Sequence, residues 1–374
     1  MARSAAWEGR TRAETIAFVF GAGASMPTVI GQQDLVRQLL KGGDDPRVRL
    51  ARSYLQRIFP GLQTDSLRDG TLRFEDVVGP LEIAESEEYW YHFAGLRGAK
   101  RNIFITNKEV LDSLDTWVAM KLDPASLPKP PGKRDPDYAD RFAAYQDFYS
   151  QREESGLPYS RLLHLLRELQ LSQNTVFISM NYDILLDRAI SAGGGTEPDY
   201  AVDGFLDDSK PAAVGEEKRV RIRLLKLHGS LNWRVCDRCH ILRNTSAFVV
   251  WPNSHCVDCE SQTARPMLIR PTLLKDFRHR VWRGVWREAG HALAAASRWI
   301  FIGYSLPIAD VWMLRLLAQS ARSGGIPLSR RRVTVVNPNR DVATRIALLF
   351  GKVDSYEQTF ATWLDTCYSR KQLL

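Results

Sequence analysis

The chain has 374 residues, 44% hydrophobic and 25% charged, a globular composition that excludes a disordered or fibrous protein and allows two or so compact units. No apolar run reaches the ~18 to 20 residues of a membrane span, and residues 1–14 are polar without the apolar stretch of a secretory signal, so a soluble cytoplasmic protein is expected. Lys+Arg 51 against Asp+Glu 43 give a net charge of +8, which permits nucleic-acid contact without requiring it.

The first element is Thr15-Ile-Ala-Phe-Val-Phe20, a short β-branched and aromatic run that stops at Gly21-Ala-Gly-Ala-Ser25. Asp34 to Leu40 follows with helical periodicity. Strand, glycine turn and helix open a nucleotide-binding α/β unit, because such a turn lets backbone amides approach a pyrophosphate near a helix N-terminus. The hydride-transfer version of that motif is disfavoured. Met26 stands where a third small residue belongs, and Lys41-Gly-Gly-Asp-Asp-Pro46 stands where an acidic residue should close a second strand.

About 150 residues then carry few strand signals. Helical stretches are expected at Pro46 to Phe59, Phe74 to Ala84, Asn107 to Lys121, Tyr138 to Glu154 and Ser160 to Gln170, broken by a Pro-rich loop at Leu122 to Pro136. Buried strands resume at Thr175–Ile178, Arg221–Leu225, Trp299–Ile302 and Val333–Val336. Between Arg280 and Arg298 a helix repeats Val281, Trp282, Val285, Trp286, Ala289 and Leu293 on one face. The expected fold class is α/β: a Rossmann-like parallel sheet with helices on both faces, a helical insertion and a small zinc-ribbon module. The expected organisation is a single domain, with core segments 14–45, 171–233 and 265–360, an insertion at 46–170 and the zinc module at 234–264.

Cys236-x-x-Cys239 is followed after sixteen residues by Cys256-x-x-Cys259. Two thiolate pairs at this spacing suit one tetrahedral Zn2+, structural because four thiolates leave no open position for water. His240 and His255 adjoin the pairs and could replace a ligand, but the all-cysteine set is preferred. Its charge of about −2 reduces the net excess accordingly. Cys367 reads as an ordinary buried side chain.

Four polar sets follow predicted strands, where open α/β sheets bind ligands. They are Ser179-Met-Asn-Tyr-Asp183, Lys226-Leu-His-Gly-Ser230, Gly303-Tyr-Ser-Leu-Pro307 and Asn337-Pro-Asn339. Singly, each has an alternative as a cap or turn: Asn181 or Asp183 as a helix cap, His228 as a turn histidine, Ser305 as a cap for the helix near Asp310. Four on successive strand ends make coincidence a poor explanation.

In this order, GAGAS, NYD, KLHGS, the paired Cys-x-x-Cys, GYSLP and VVNPN resemble the sirtuin (silent information regulator) superfamily. The resemblance covers 16–25 and 175–339 but not the helical region between. It is closer to the sirtuin-like NAD hydrolases of bacterial antiphage defence than to the protein deacylases. Deacylases continue the glycine turn into Pro-Asp-Phe-Arg and carry Phe-Gly-Glu after the zinc module, in the acyl-lysine peptide groove. This chain has nothing similar at 26–33, and has Arg265-Pro-Met-Leu-Ile-Arg-Pro271 in the second place.

What the resemblance implies is NAD+ as substrate. Gly21, Ala22, Gly23 and Ser25 would hold the diphosphate, and Gly303, Ser305 and Asn337 the adenosine ribose end. Cleaving the ribose–nicotinamide bond needs no general acid, because the pyridinium leaves neutral, unlike an ordinary glycoside. His228 would be the base near neutral pH, Asn181 would hold a ribose hydroxyl or the attacking water, and Asp183 would orient Asn181 or polarise the site. Tyr182 reads as packing or contact. An NAD-dependent deacylase or ADP-ribosyltransferase is the alternative, and a non-enzymatic zinc-ribbon nucleic-acid binder the further one. The last draws on Arg219, Arg221, Arg223, Lys226, Arg234, Arg238 and Arg243, though the alternation Arg221-Ile-Arg-Leu also fits a half-exposed strand. The expected partners are a second copy of the chain or a defence-system protein held by the helical region, and no membrane.

Overall fold

The computed structural model describes residues 14–26, 32–41, 48–58, 74–86, 107–122, 158–193, 195–202, 205–207, 220–245, 254–270, 275, 277, 279–307, 310–323 and 326–373. The helix expected at Tyr138 to Glu154 and nearly all of the Pro-rich loop lie outside the described residues.

Among the described residues the main sheet has seven strands, all parallel. They are β1 (Ile16–Phe20), β2 (Thr175–Ser179), β3 (Thr196–Asp199), β5 (Val220–Lys226), β9 (Arg298–Ile302), β10 (Arg332–Val336) and β11 (Asp354–Tyr356), in the order β11-β10-β9-β1-β2-β5-β3. Every residue of β1 and β9 is buried, which requires helices on both faces of the sheet. On β1 the sequence order reverses direction: β2 follows on one side, while β9, β10 and β11 run off on the other. In open α/β sheets, ligands bind at such a switch point, beyond the strands' C-terminal ends.

Helices α5 (Pro158–Glu168), α6 (Leu185–Ala192) and α10 (Phe360–Arg370) pack together, and α7 (Arg280–Ala295) packs on α8 (Val311–Ser323) and β5. The stripe read from the sequence, Val281, Trp282, Val285, Ala289 and Leu293, is the buried face of α7. Trp286 is half-buried and spends its indole N–H on the Leu227 carbonyl at 3.0 Å.

A second sheet, β4-β7-β6-β8, is built from β4 (Leu206–Asp207), β6 (Gly229–Cys236), β7 (Leu242–Asn244) and β8 (Ala264–Leu268). The chain leaves the first sheet at Lys226 and enters the second at Gly229. Gly229 sits at φ +85°, and a Cβ there would lie 2.0 Å from the Met267 carbonyl oxygen, so this corner demands glycine.

A separate core gathers α1 (Gln32–Lys41), α2 (Arg49–Ile58), α3 (Phe74–Ser86) and α4 (Asn107–Leu122), with Leu39, Leu55, Val78 and Leu114 at its centre. The helix after the glycine turn therefore belongs to this layer by packing. Helix α5, which the sequence groups with the insertion, shares the main core through Tyr159, Leu162 and Leu166.

Candidate active site and metal centre

The polar sets lie where the parallel sheet ends. Gly21 continues β1, Met180 and Asn181 continue β2, Leu227 and His228 continue β5, Gly303 continues β9 and Asn337 continues β10. Backbone bonds lace these ends together: Gly21 N–H donates to Ile302 O at 3.1 Å, Met180 N–H to Phe20 O at 3.0 Å, and Leu227 N–H to Ser179 O at 3.0 Å. The glycine turn rests directly on the next strand's turn. Gly303 has φ +60°, and a Cβ on it would stand 2.1 Å from the Ala24 nitrogen. Two glycine-bearing turns in backbone contact explain why both sequences, GAGAS and GYSLP, are small at these points.

Gly21, Gly23, Ala24 and Ser25 donate their amides to carbonyls within the chain. The Ser25 hydroxyl, 3% exposed, donates to Asp183 Oδ2 at 2.8 Å, accepts from Asn181 Nδ2 at 3.1 Å and lies 2.9 Å from the Tyr159 hydroxyl. Its proton and both lone pairs are thereby engaged. Ser25 therefore spends its hydroxyl inside the protein rather than offering it to a ligand.

Asn181 also donates to the Gly21 carbonyl at 3.0 Å, so both of its side-chain N–H bonds are used and only its carbonyl oxygen could meet a ligand. Asp183 accepts from Ser25 with one oxygen and from the Leu185 N–H at 3.1 Å with the other, which starts α6. Asp183 therefore orients Asn181 through Ser25. Burial pushes the Asp183 pKa up, the larger influence, while Lys226 and the hydrogen bonds work against it. Lys226, 1% exposed, reaches the Asp183 carbonyl at 2.5 Å and Asp187 Oδ2 at 2.9 Å, and Tyr200 bonds the other Asp187 oxygen at 2.6 Å.

His228 occupies the corner between the two sheets, 6% exposed. Burial holds its pKa down to about 4, partly countered by Asp310 and reinforced by Lys275. The ring is therefore held in its neutral form at pH 7. Asp310 Oδ1 lies 3.5 Å from His228 Nε2 and 2.9 Å from Lys275 Nζ, and Tyr304 donates to Asp310 Oδ2 at 3.0 Å.

The remaining candidates are looser. Ser305 is exposed, next to Leu306, whose φ of +47° is rare for a branched side chain. Asn337 accepts from the Asn339 N–H at 2.9 Å, and Asn339 caps α9 (Arg340–Phe350) through the Asp341 N–H. Tyr182 packs against the helical core and donates to the Ile269 carbonyl at 2.5 Å. Sequence reasoning missed Tyr159, Lys275, Tyr304 and Asp310 as members of the site. Tyr304 lies inside the quoted GYSLP set and Asp310 three residues beyond it, but nothing near Tyr159 or Lys275 marks them.

The four cysteine sulfurs lie within 4.8 Å of one another, with Cys236–Cys259 at 3.6 Å and Cys239–Cys256 at 3.7 Å. A tetrahedron of Zn–S bonds of about 2.3 Å has edges of about 3.8 Å, so the set fits zinc. Each pair forms the same knuckle: His240 N–H returns to Cys236 O and Glu260 N–H to Cys256 O, and both residues sit at positive φ, 57° and 59°. His240 and His255 are exposed and outside the cluster. Cys367 is fully buried.

No known family model matches the chain, and no curated protein matches it. Solved structures do. The chain is similar to a Sir2 homologue in complex with NAD (14% identity, TM-score 0.46, covering 95% of this chain and 88% of that one). It is similar to Sir2Tm bound to a propionylated peptide (16%, TM-score 0.42, covering 95% and 92%). Sir2 bound to an acetylated peptide is a third (16%, TM-score 0.40, covering 95% and 92%). At such identities and scores these likenesses leave the chemistry to the chain's own residues.

Proposed function

We propose that this chain is a sirtuin-type NAD+ glycohydrolase, releasing nicotinamide and ADP-ribose without a protein substrate. The observation that supports the reading is that the Gly21 turn, Asn181 and His228 continue the same ends of three adjacent parallel strands, β1, β2 and β5, beside the sheet's switch point. Gly21 and Asn181 are in direct contact at 3.0 Å although 160 residues separate them.

Each residue has a task that the chemistry needs. The departing pyridinium requires no proton, so the site supplies orientation, tolerance of a cationic ribose and a base. The Asn181 oxygen, held by two donations from its own amide, presents a neutral acceptor to a ribose hydroxyl or to water. His228 takes the proton, being unprotonated at pH 7. Asp183 and Tyr159 hold Ser25, which holds Asn181. The zinc, bound by Cys236, Cys239, Cys256 and Cys259, would fix the second sheet's far end and take no part in the chemistry.

The peptide-independent reading draws on the departures from the deacylase motifs and on how the segment after β8 is held. Tyr182 bonds the Ile269 carbonyl, and Arg270 makes a two-pronged pair with Asp115 of α4 at 3.0 and 2.7 Å. The segment at the place where the family resemblance puts a peptide groove is thereby tied to Tyr182 and to the helical layer. The nucleic-acid reading loses most of its basic stretch: Lys226 is buried, Arg221 pairs with Glu197, Arg223 with Asp199 and Glu288, and Arg243 with Asp258. In the defence setting that the motifs imply, such turnover would deplete NAD+.

The deciding experiment is incubation of the purified protein with NAD+, with and without an acetylated peptide. Nicotinamide release without peptide is expected. Strict dependence on peptide would shift the assignment to a deacylase or transferase, and no turnover alongside tight nucleic-acid binding would shift it to the third reading.

A further inference from the structure

Asp310 lies immediately before α8 and its carboxylate is shared. Oδ1 stands between Lys275 Nζ (2.9 Å) and His228 Nε2 (3.5 Å), while Oδ2 accepts from the Tyr304 hydroxyl (3.0 Å). The side chains of His228, Lys275 and Asp310 are exposed by only 7%, 1% and 7%. Burying an ammonium and a carboxylate together is expensive, and hydrophobic residues of similar volume often serve stability as well or better. A buried pair placed directly against the candidate base therefore asks for a role beyond stability.

His228 Nε2 has no hydrogen-bond partner among the described residues, and the ring's hydrogen bond is with the Met180 backbone. Nε2 then carries the lone pair and faces a carboxylate oxygen, acceptor against acceptor, which accounts for a separation beyond hydrogen-bond length. Once Nε2 accepts a proton it becomes a donor, and its acceptor is already in place. The favourable contact exists only after proton transfer, so it lowers the barrier rather than tightening substrate binding.

We propose that Asp310, held by Lys275 and Tyr304, is a positioning residue that orients His228 and carries the charge its ring gains on accepting a proton. This inference rests on the NAD+-cleavage reading for its place in catalysis, but the coupling of Asp310 to His228 can be measured without turnover. The groups facing the ring are Asp310, Lys275 and the Tyr182 and Trp286 rings at 6.3 and 6.4 Å, with Tyr304 acting through Asp310.

The test follows the His228 Cε1–H resonance against pH in the full-length protein, assigned by its disappearance in His228→Gln. Lys275→Met should move the titration to higher pH and Asp310→Asn to lower pH. The double variant Asp310→Asn/Lys275→Met keeps the cluster neutral and strands no buried charge. It should melt near wild type and release nicotinamide about tenfold to a hundredfold more slowly, with KM within about threefold. An unchanged His228 titration in both single variants, or wild-type kcat in the folded double variant, overturns the proposal. A wild-type protein that releases no nicotinamide would overturn the NAD+ reading instead, with the titration still deciding the coupling.

Discussion

Asn181 donates to the Gly21 carbonyl at 3.0 Å, and that single bond ties the end of β2 to the turn that ends β1. Together with the bond to Ser25 it also decides which atom of the amide is left for a ligand. An asparagine whose N–H groups are both spent inside the protein can act on a ligand only through its oxygen.

Replacing that residue should separate stability from chemistry. Asn181→Ala leaves the Gly21 carbonyl and Ser25 short of a donor, a loss of about 1–3 kcal/mol, seen as a lower Tm with retained cooperativity. Nicotinamide release should fall below detection. Ser25→Ala should melt earlier as well but keep measurable turnover, since its hydroxyl meets only protein groups. A folded Asn181→Ala protein with near-normal turnover would remove Asn181 from the mechanism.

His228→Gln should abolish turnover, because loss of a general base typically costs ~10² to 10⁴ in rate. NAD+ should still bind, as measured by calorimetry, because the glycine turn and Asn181 are untouched. Wild-type kcat in a folded variant would exclude His228 as the base.

The same histidine sets a pH dependence of stability. Its folded pKa is about 4, below the ~6.5 of an exposed histidine. Between those values the unfolded chain binds a proton that the folded chain does not, so this group lowers stability as pH falls from about 6.5 to about 4, by up to about 1.4 kcal/mol per unit. His228→Gln should show a shallower loss over that window in urea melts. An identical slope in both proteins would mean that the ring is protonated or exposed in the fold.

Zinc should be structural. Cys236→Ser is expected to lower metal content and Tm together, because metal binding in such modules is folding free energy. Loss of zinc with unchanged melting would refute that role.

Gly303→Ala tests the contact between the two turns. At φ +60°, with the Ala24 nitrogen 2.1 Å from any Cβ, the change should cost more than about 2 kcal/mol or prevent soluble expression. A variant as stable as wild type would show that the turns can separate.

Much of this protein is decided locally and so can be read from the chain. Thr175–Ile178, Trp299–Ile302 and Val333–Val336 are strands because β-branched and aromatic runs bounded by polar turns have few other outcomes. The Cys-x-x-Cys pairs announce a metal centre because the knuckle closes within one turn of chain. Short or unusual strands escaped: β3 contains Pro198, and β11 has three residues without a buried run. Other features exist only through folding across long separations. That Ser25 is spent on Tyr159, Asn181 and Asp183 depends on contacts spanning 134–158 residues. Lys275 meeting Asp310 behind His228 depends on a packing of elements that no local spacing encodes. Hydrophobic periodicity specifies which face of an element is buried, but a buried polar group finds its partner only when the sheet brings distant strand ends together.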